Sequence, residues 1–249
     1  MADGLDRIRG NVSKLLSNVS ANADGTAAFI RQAKYGEQIV RLLSVKNSFF
    51  AEEGSSYMAT TPTVGTGVAL GVAAATAVVQ TAPSILLYNN DALGGKNIIM
   101  DSIKLIVTGA GTAGTRLDCS IFVDTTVRYT SGGTAATPVN ANVGVASASI
   151  AKFYDASSAI VSPAASSNMV RIARLLLRSQ IPVVMDQYYL DFGGATYSGG
   201  ITNGTAPLAV SVPVPTTVIG PQQSLLVFLH SASQSAAPTY EYDVVWTER

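Results

Sequence analysis

Few residues in this chain are able to do acid–base, nucleophilic or metal chemistry, and their spacing limits what that chemistry is. There is one histidine, His230, and one cysteine, Cys119. A single imidazole excludes a multi-histidine metal site. As a general base, His230 would need an orienting acid and a nucleophile brought to it from elsewhere in the chain. Cys119 has no second thiol to pair with, so no intrachain disulfide forms. It falls on the same alternating face as Leu117, Ile121 and Val123, which predicts a buried, inert thiol. Asp118 and Asp124 share a strand face, but strand rise separates them by roughly 20 Å, too far for a glycosidase-type pair. Beside Arg116 and Arg128 they read as surface ion pairs or subunit contacts.

Residues 108–115, TGAGTAGT, contain a GxGxxG pattern at Gly109, Gly111 and Gly114. In a dinucleotide site the third glycine opens a helix whose N-terminus faces the pyrophosphate. Here residues 116–124 alternate as a strand, so the glycines are expected to form a hairpin connection instead. Arg171, Arg174 and Arg178 form a basic row at helical spacing, inside a segment, 169–178, that also reads as a strand. Either a basic surface or salt bridges across a subunit contact would use them. Tyr188, Tyr189 and Tyr197 are candidates for a carbohydrate-contacting surface near the loops. No catalytic residue, cofactor site or metal site is expected, and a non-enzymatic role follows from this scarcity.

The elements that must position these residues are mostly strands. Residues 102–107, 116–124 and 240–247 alternate apolar with polar, the pattern of strands with one wet face. Further strands are expected at 84–88, 147–153, 169–178, 187–192, 208–212 and 225–230. Loops rich in Gly, Pro, Ser and Asn separate them, the longest at 131–142 and 193–207. Many short strands without intervening helices predict an all-β antiparallel sandwich, jelly-roll-like, over residues 59–249.

Residues 1–58 read as a partly helical arm. Leu5, Ile8, Val12, Leu15 and Leu16 form one apolar stripe, and Phe29, Val40 and Leu43 belong to a second helical pattern across 29–43. Residues 1–46 carry seven basic against four acidic side chains, a net of +3, which leaves −3 for the rest of a chain whose total is zero. That charge fits either weak contact of the arm with packaged DNA or the solvated face of an amphipathic helix. The apolar run at 64–79 is too short to span a membrane.

Composition favours association. Hydrophobic residues make up 47% and charged residues 13% of the chain, so a large core is available and little charge keeps copies apart. Residues 101–133, with TPVNAN at 137–142, residues 181–194 and residues 221–249 resemble virion structural proteins of tailed bacteriophages, and KYGEQIV at 34–40 extends the likeness. The resemblance implies a virion protein, made in the host bacterial cytoplasm, that builds or decorates the capsid. Its partners would be copies of itself, as a trimer, and other capsid proteins. The chain departs from the common tailed-phage shell protein, a larger mixed α/β fold with a long helix, which points to a decoration protein or a jelly-roll coat. Leu5, Ile8, Val12, Leu15, Leu16, Phe29, Val40, Leu43, Arg171 and Arg174 are the expected subunit-interface residues. The alternative is a carbohydrate- or receptor-binding sandwich of a phage tail or fibre.

Overall fold

The computed structural model describes residues 31–32, 38–39, 50–69, 78–111, 117–162, 168–178, 181–194, 207–230 and 238–249. The chain divides into two units, Met1–Lys46 and Asn47–Arg249. In the first, β1 (Arg31–Gln32) pairs antiparallel with β2 (Gln38–Ile39), Arg31 opposite Ile39. This replaces the helix expected across 29–43. Gly36, between the two strands, would cost a helix about 1 kcal/mol relative to Ala, which weakens the helical alternative locally. Leu5, Ile8, Val12, Leu15, Leu16, Phe29, Val40 and Leu43 lie outside the described residues.

The second unit is a two-sheet sandwich. Its strands are β3 (Ser56–Thr60), β4 (Val68–Ala69), β5 (Ile85–Asn89), β6 (Ile98–Gly109), β7 (Leu117–Asp124), β8 (Ser131–Ala136) and β9 (Val139–Asn140), followed by β10 (Ala151–Val161), β11 (Met169–Arg178), β12 (Gln187–Phe192), β13 (Ala209–Val214), β14 (Val218–Ile219), β15 (Ser224–His230) and β16 (Thr239–Glu248). One sheet has the order β11-β7-β15-β5-β10-β8, the other β13-β12-β6-β16-β3-β9, with β14 beside β6 and β4 beside β16. All pairings are antiparallel except β12 with β13.

The middle of this arrangement defines the jelly roll. Strands β3-β16-β6-β12 form four neighbours of one sheet, and β5-β15-β7-β11 four of the other. The chain passes from sheet to sheet at nearly every connection, so first pairs with last and second with next-to-last. These are two interlocked Greek keys. Strands β8 and β10 are an insertion that widens one sheet, and β13 widens the other.

Three expectations change here. Strands β6 and β7 lie in opposite sheets, so the glycine-rich segment between them is a sheet-to-sheet crossover and not a hairpin. The strand after it still excludes the helix a dinucleotide site needs. Residues 131–142, expected as a loop, contain β8 and β9. Gly132 explains why composition hid this: its φ is +73°, and a Cβ there would meet the Ala159 carbonyl oxygen. Glycine is thus required for the strand to approach β10 so closely. Finally, the boundary expected after residue 58 falls within β3, which pairs with β16 from Ser56–Thr247 to Thr60–Asp243.

The core lies between the sheets. Tyr240, Tyr242, Val244 and Trp246 project inward from β16, alternating with half-exposed Glu241, Asp243 and Val245. They meet Leu117, Cys119 and Ile121 of β7, Leu225, Val227 and Leu229 of β15, and Phe153 of β10. Each such fully buried side chain contributes about 1.5–3 kcal/mol. A polar link crosses the core: the Tyr242 hydroxyl donates to Asp155 Oδ2 at 2.7 Å, and the Ser157 amide donates to the other oxygen.

Candidate functional site

Among the described residues, buried polar side chains and two exposed arginines converge on the outer face of the six-stranded sheet. Phe122, Ser120 and Asp118 point outward from β7, opposite the inward Cys119 and Ile121. Phe228 and His230 stand beside them on β15, paired in register with Ser120 and Asp118. The His230 Nε2 and Ser120 Oγ lie 3.2 Å apart, with His230 only 5% exposed. His230 therefore sits on the face shared with Leu226 and Phe228, as its place in the strand predicts.

Strand β11 completes the site by an irregularity. Arg171 pairs with Phe122, Ala173 with Ile121 and Arg174 with Ser120, so Ile172 is an extra residue, a bulge. In a regular strand, residues three apart point to opposite faces. The bulge instead brings Arg171 and Arg174 to the same outer face. A second register shift, between Leu176 and Arg178, sends Arg178 inward opposite Leu117. The basic row expected from sequence is therefore divided: two arginines outside and one fully buried.

Arg171 and Arg174, both exposed, line a groove of about 530 Å³ floored by Phe122 and walled by Val78 and Gln80. Ser120 and His230 also face it. Arg174 Nη2 lies 3.7 Å from Asp118 Oδ1, so one of the two cations is partly neutralised.

The buried arginine forms a separate node. Asp186 accepts from Arg178 Nη1, at 2.7 Å on Oδ2, from the Tyr188 hydroxyl at 2.9 Å, and from the backbone amides of Val183 and Leu208 at 2.8 Å each. Arg178 and Asp186 are both fully buried. The node ties the end of β11 to the entry of β12 and to the residue before β13, so it joins the two sheets at one end. Burial, then the charge of Asp186, pushes the Tyr188 phenol well above its ordinary range.

Other expected contacts resolve differently. Asp124 and Arg128 form a buried pair at 3.7 Å, with side-chain exposures of 0% and 4%, where a surface or subunit contact was expected. Thr126 clamps the same aspartate through both its amide and its hydroxyl. Arg116 lies outside the described residues. The three candidate tyrosines do not converge: Tyr188 is buried, Tyr189 is exposed on the outer face of the other sheet beside Lys104 and Ser211, and Tyr197 lies outside the described residues. A different aromatic group forms instead. The rings of Tyr129 and Tyr154 stack 4.0 Å apart at 15°, with Tyr88 about equally distant from both at 6.0 and 6.3 Å. Nothing in the spacing of residues 88, 129 and 154 signals this, because sheet order sets it.

Cys119 is fully buried, and burial followed by the charge of Asp118 pushes its thiol up to about 12. Among the described residues no group of three or more His, Cys, Asp or Glu side chains is placed to hold a metal ion. No described helix is long and apolar enough to cross a membrane.

No family model and no curated protein matches this chain. Among solved structures, it is similar to VP1 of Trichodysplasia spinulosa-associated polyomavirus, determined in complex with GM1 oligosaccharide. The match has 12% identity over 79% of this chain and 95% of that one, with a TM-score of 0.24.

Proposed function

We propose that the chain is a structural virion protein, a capsid or capsid-decorating subunit of a tailed phage, that works by associating with copies of itself without catalysis. The observation that carries this reading is the pairing of a jelly-roll body, Asn47–Arg249, with a separate N-terminal unit, Met1–Lys46. A body closed around its own core has little need of an added unit for stability. An N-terminal segment amphipathic in sequence and net basic suits a neighbour's surface or the packaged DNA. Jelly rolls serve both in viral shells and in lectins, and the sequence resemblance to phage virion proteins favours the former.

Two features of the body support contact between copies. Its charged side chains are few and sum to only −3 over about two hundred residues, so little field opposes association. At one end of the sandwich, Leu93 and Val143 are 85% and 96% exposed. Their turns adjoin through Arg249, whose backbone bonds Asn97 and whose guanidinium reaches Glu53, and through Asn142, which donates to the Glu52 carbonyl.

The test is mass in solution and particle formation. Light scattering and electron microscopy of the full chain should show a trimer or larger assemblies, and residues 47–249 alone should shift to smaller species. A monomer at micromolar concentration, indifferent to removal of residues 1–46, would end the assembly reading.

A further inference from the structure

The groove on β7, β11 and β15 has features that subunit association does not require. Two exposed arginines three residues apart reach the same face only because β11 carries an extra residue between them. Bulges recur where a strand must re-aim a side chain. The floor is Phe122, 8% exposed, and the polar groups beside it, Ser120 and His230, are 1% and 5% exposed and hydrogen-bonded to each other. They are thus held in place before any ligand arrives. The volume falls within the range of small-ligand sites.

We infer that this groove binds a small monocarboxylate, its carboxylate held by Arg171 and Arg174 and its body lying over Phe122 beside Gln80 and the Ser120–His230 pair. Charge decides between anions. Arg174 is already engaged 3.7 Å from Asp118, which leaves Arg171 as the main cationic contact and suits a singly charged anion better than a doubly charged one. Guanidinium groups also suit the planar, two-oxygen geometry of a carboxylate. The apolar floor with neutral hydrogen-bonding walls suits a body the size of one ring or one short side chain. An acidic sugar and an acidic peptide side chain share this chemistry. The inference is independent of assembly, since a monomer would present the same groove.

Calorimetric titration of the full chain with four probes tests it: D-glucuronate, N-acetyl-Ala-Glu-Ala-amide, D-glucose and inorganic phosphate. At least one of the two carboxylates should bind about tenfold more tightly than glucose or phosphate. Glucuronate ahead of the peptide would identify an acidic sugar as the source, and the reverse an acidic peptide; either supports the groove's chemistry. Arg171→Ala and Arg174→Ala should each weaken that binding about tenfold, the scale of one charge-assisted hydrogen bond. Arg171→Ala should leave the melting temperature unchanged because its side chain is exposed, and Arg174→Ala, which also loses the Asp118 contact, should lower it only slightly. Lys104→Ala, on the other sheet, should leave binding intact. Phosphate binding as tight as either carboxylate, binding that survives loss of both arginines, or no carboxylate binding near about 1 mM would each overturn the inference.

Discussion

The two sheets treat their outer faces differently. On the eight-stranded sheet, β16 alternates strictly from Tyr240 to Val245, and its outward Glu241, Asp243 and Val245 meet solvent. On the six-stranded sheet, β15 is buried at every position from Ser224 to His230. Leu225, Val227 and Leu229 serve the core, while Leu226 and Phe228 join Leu86, Phe122, Ala156 and Ile160 in a second apolar cluster on the outside. A sandwich needs only one apolar face per sheet. A second must be covered, and the segments flanking it do this. The Ser224 hydroxyl accepts from the Arg128 amide and donates to the Thr126 carbonyl, pinning residues 126–128 over the sheet. Ser162 holds the Arg128 carbonyl and, through its amide, Thr81. Val78 and Tyr129 pack against the cluster from these segments. The groove lies at the β7–β11 side of the same face, where Phe122 and Val78 belong to the cluster and the groove alike. One sheet is therefore a wall, and the other is a wall with a built-over outer layer.

The largest effect should come where the two sheets are joined. Asp186→Ala would leave Arg178 charged and fully buried without its carboxylate, and would strand the Tyr188 hydroxyl and two backbone amides. Removing one partner of a buried pair costs about 3–5 kcal/mol. Denaturant unfolding should show a loss of that size. A loss under about 1 kcal/mol would mean that the node does not fasten the sheets.

The comparison itself is tested by truncating outward residues on each sheet. Leu226→Ala on β15 should cost about 2–5 kcal/mol, as in a true core, because Leu226 is fully buried. Val245→Ala on β16, half-exposed and outward, should cost less than about 1 kcal/mol. Equal costs would show that the outer layer of the six-stranded sheet contributes no more than ordinary surface.

This contrast also explains what the sequence revealed. Strand β16 was legible because YEYDVVW carries its own face assignment in strict alternation. Strand β15, LLVFLH, is apolar at both parities, so a strand is evident but its second buried face is not separable from dense core packing. The faces of Cys119 and His230 followed from alternation within one strand. The fates of Arg171, Arg174 and Arg178 did not, since two register shifts, invisible in residue type, reassign them. A non-enzymatic assembly role rested on scarcity of reactive residues and on resemblance, and the groove arose from three strands distant in sequence. Asp186 carries no distinguishing signal in the sequence. Only the fold brings to it an arginine eight residues before and a backbone amide twenty-two after.

The smallest predicted effect concerns the inner side of β7, the strand whose outer side floors the groove. The folded Cys119 thiol keeps its proton up to about 12, whereas in the unfolded chain it ionises near the ordinary 9.0. Between these values the unfolded state binds fewer protons than the folded one, so stability falls as pH rises. Below pH 9 the contribution is fully present; above it the loss grows by about 1.4 kcal/mol per pH unit until the folded thiol also ionises. Buried tyrosines also raised by burial add to alkaline instability: Tyr242 does so equally in a Cys119→Ala variant, and Tyr240, for which burial is the largest cause and Cys119 a lesser one, does so nearly equally. The difference between the two chains isolates the thiol: from pH 8 to pH 10 the native chain should lose about 1.4 kcal/mol more than the variant. Parallel pH profiles would mean that the interior of this sheet admits water and that its two faces are less distinct than the packing indicates.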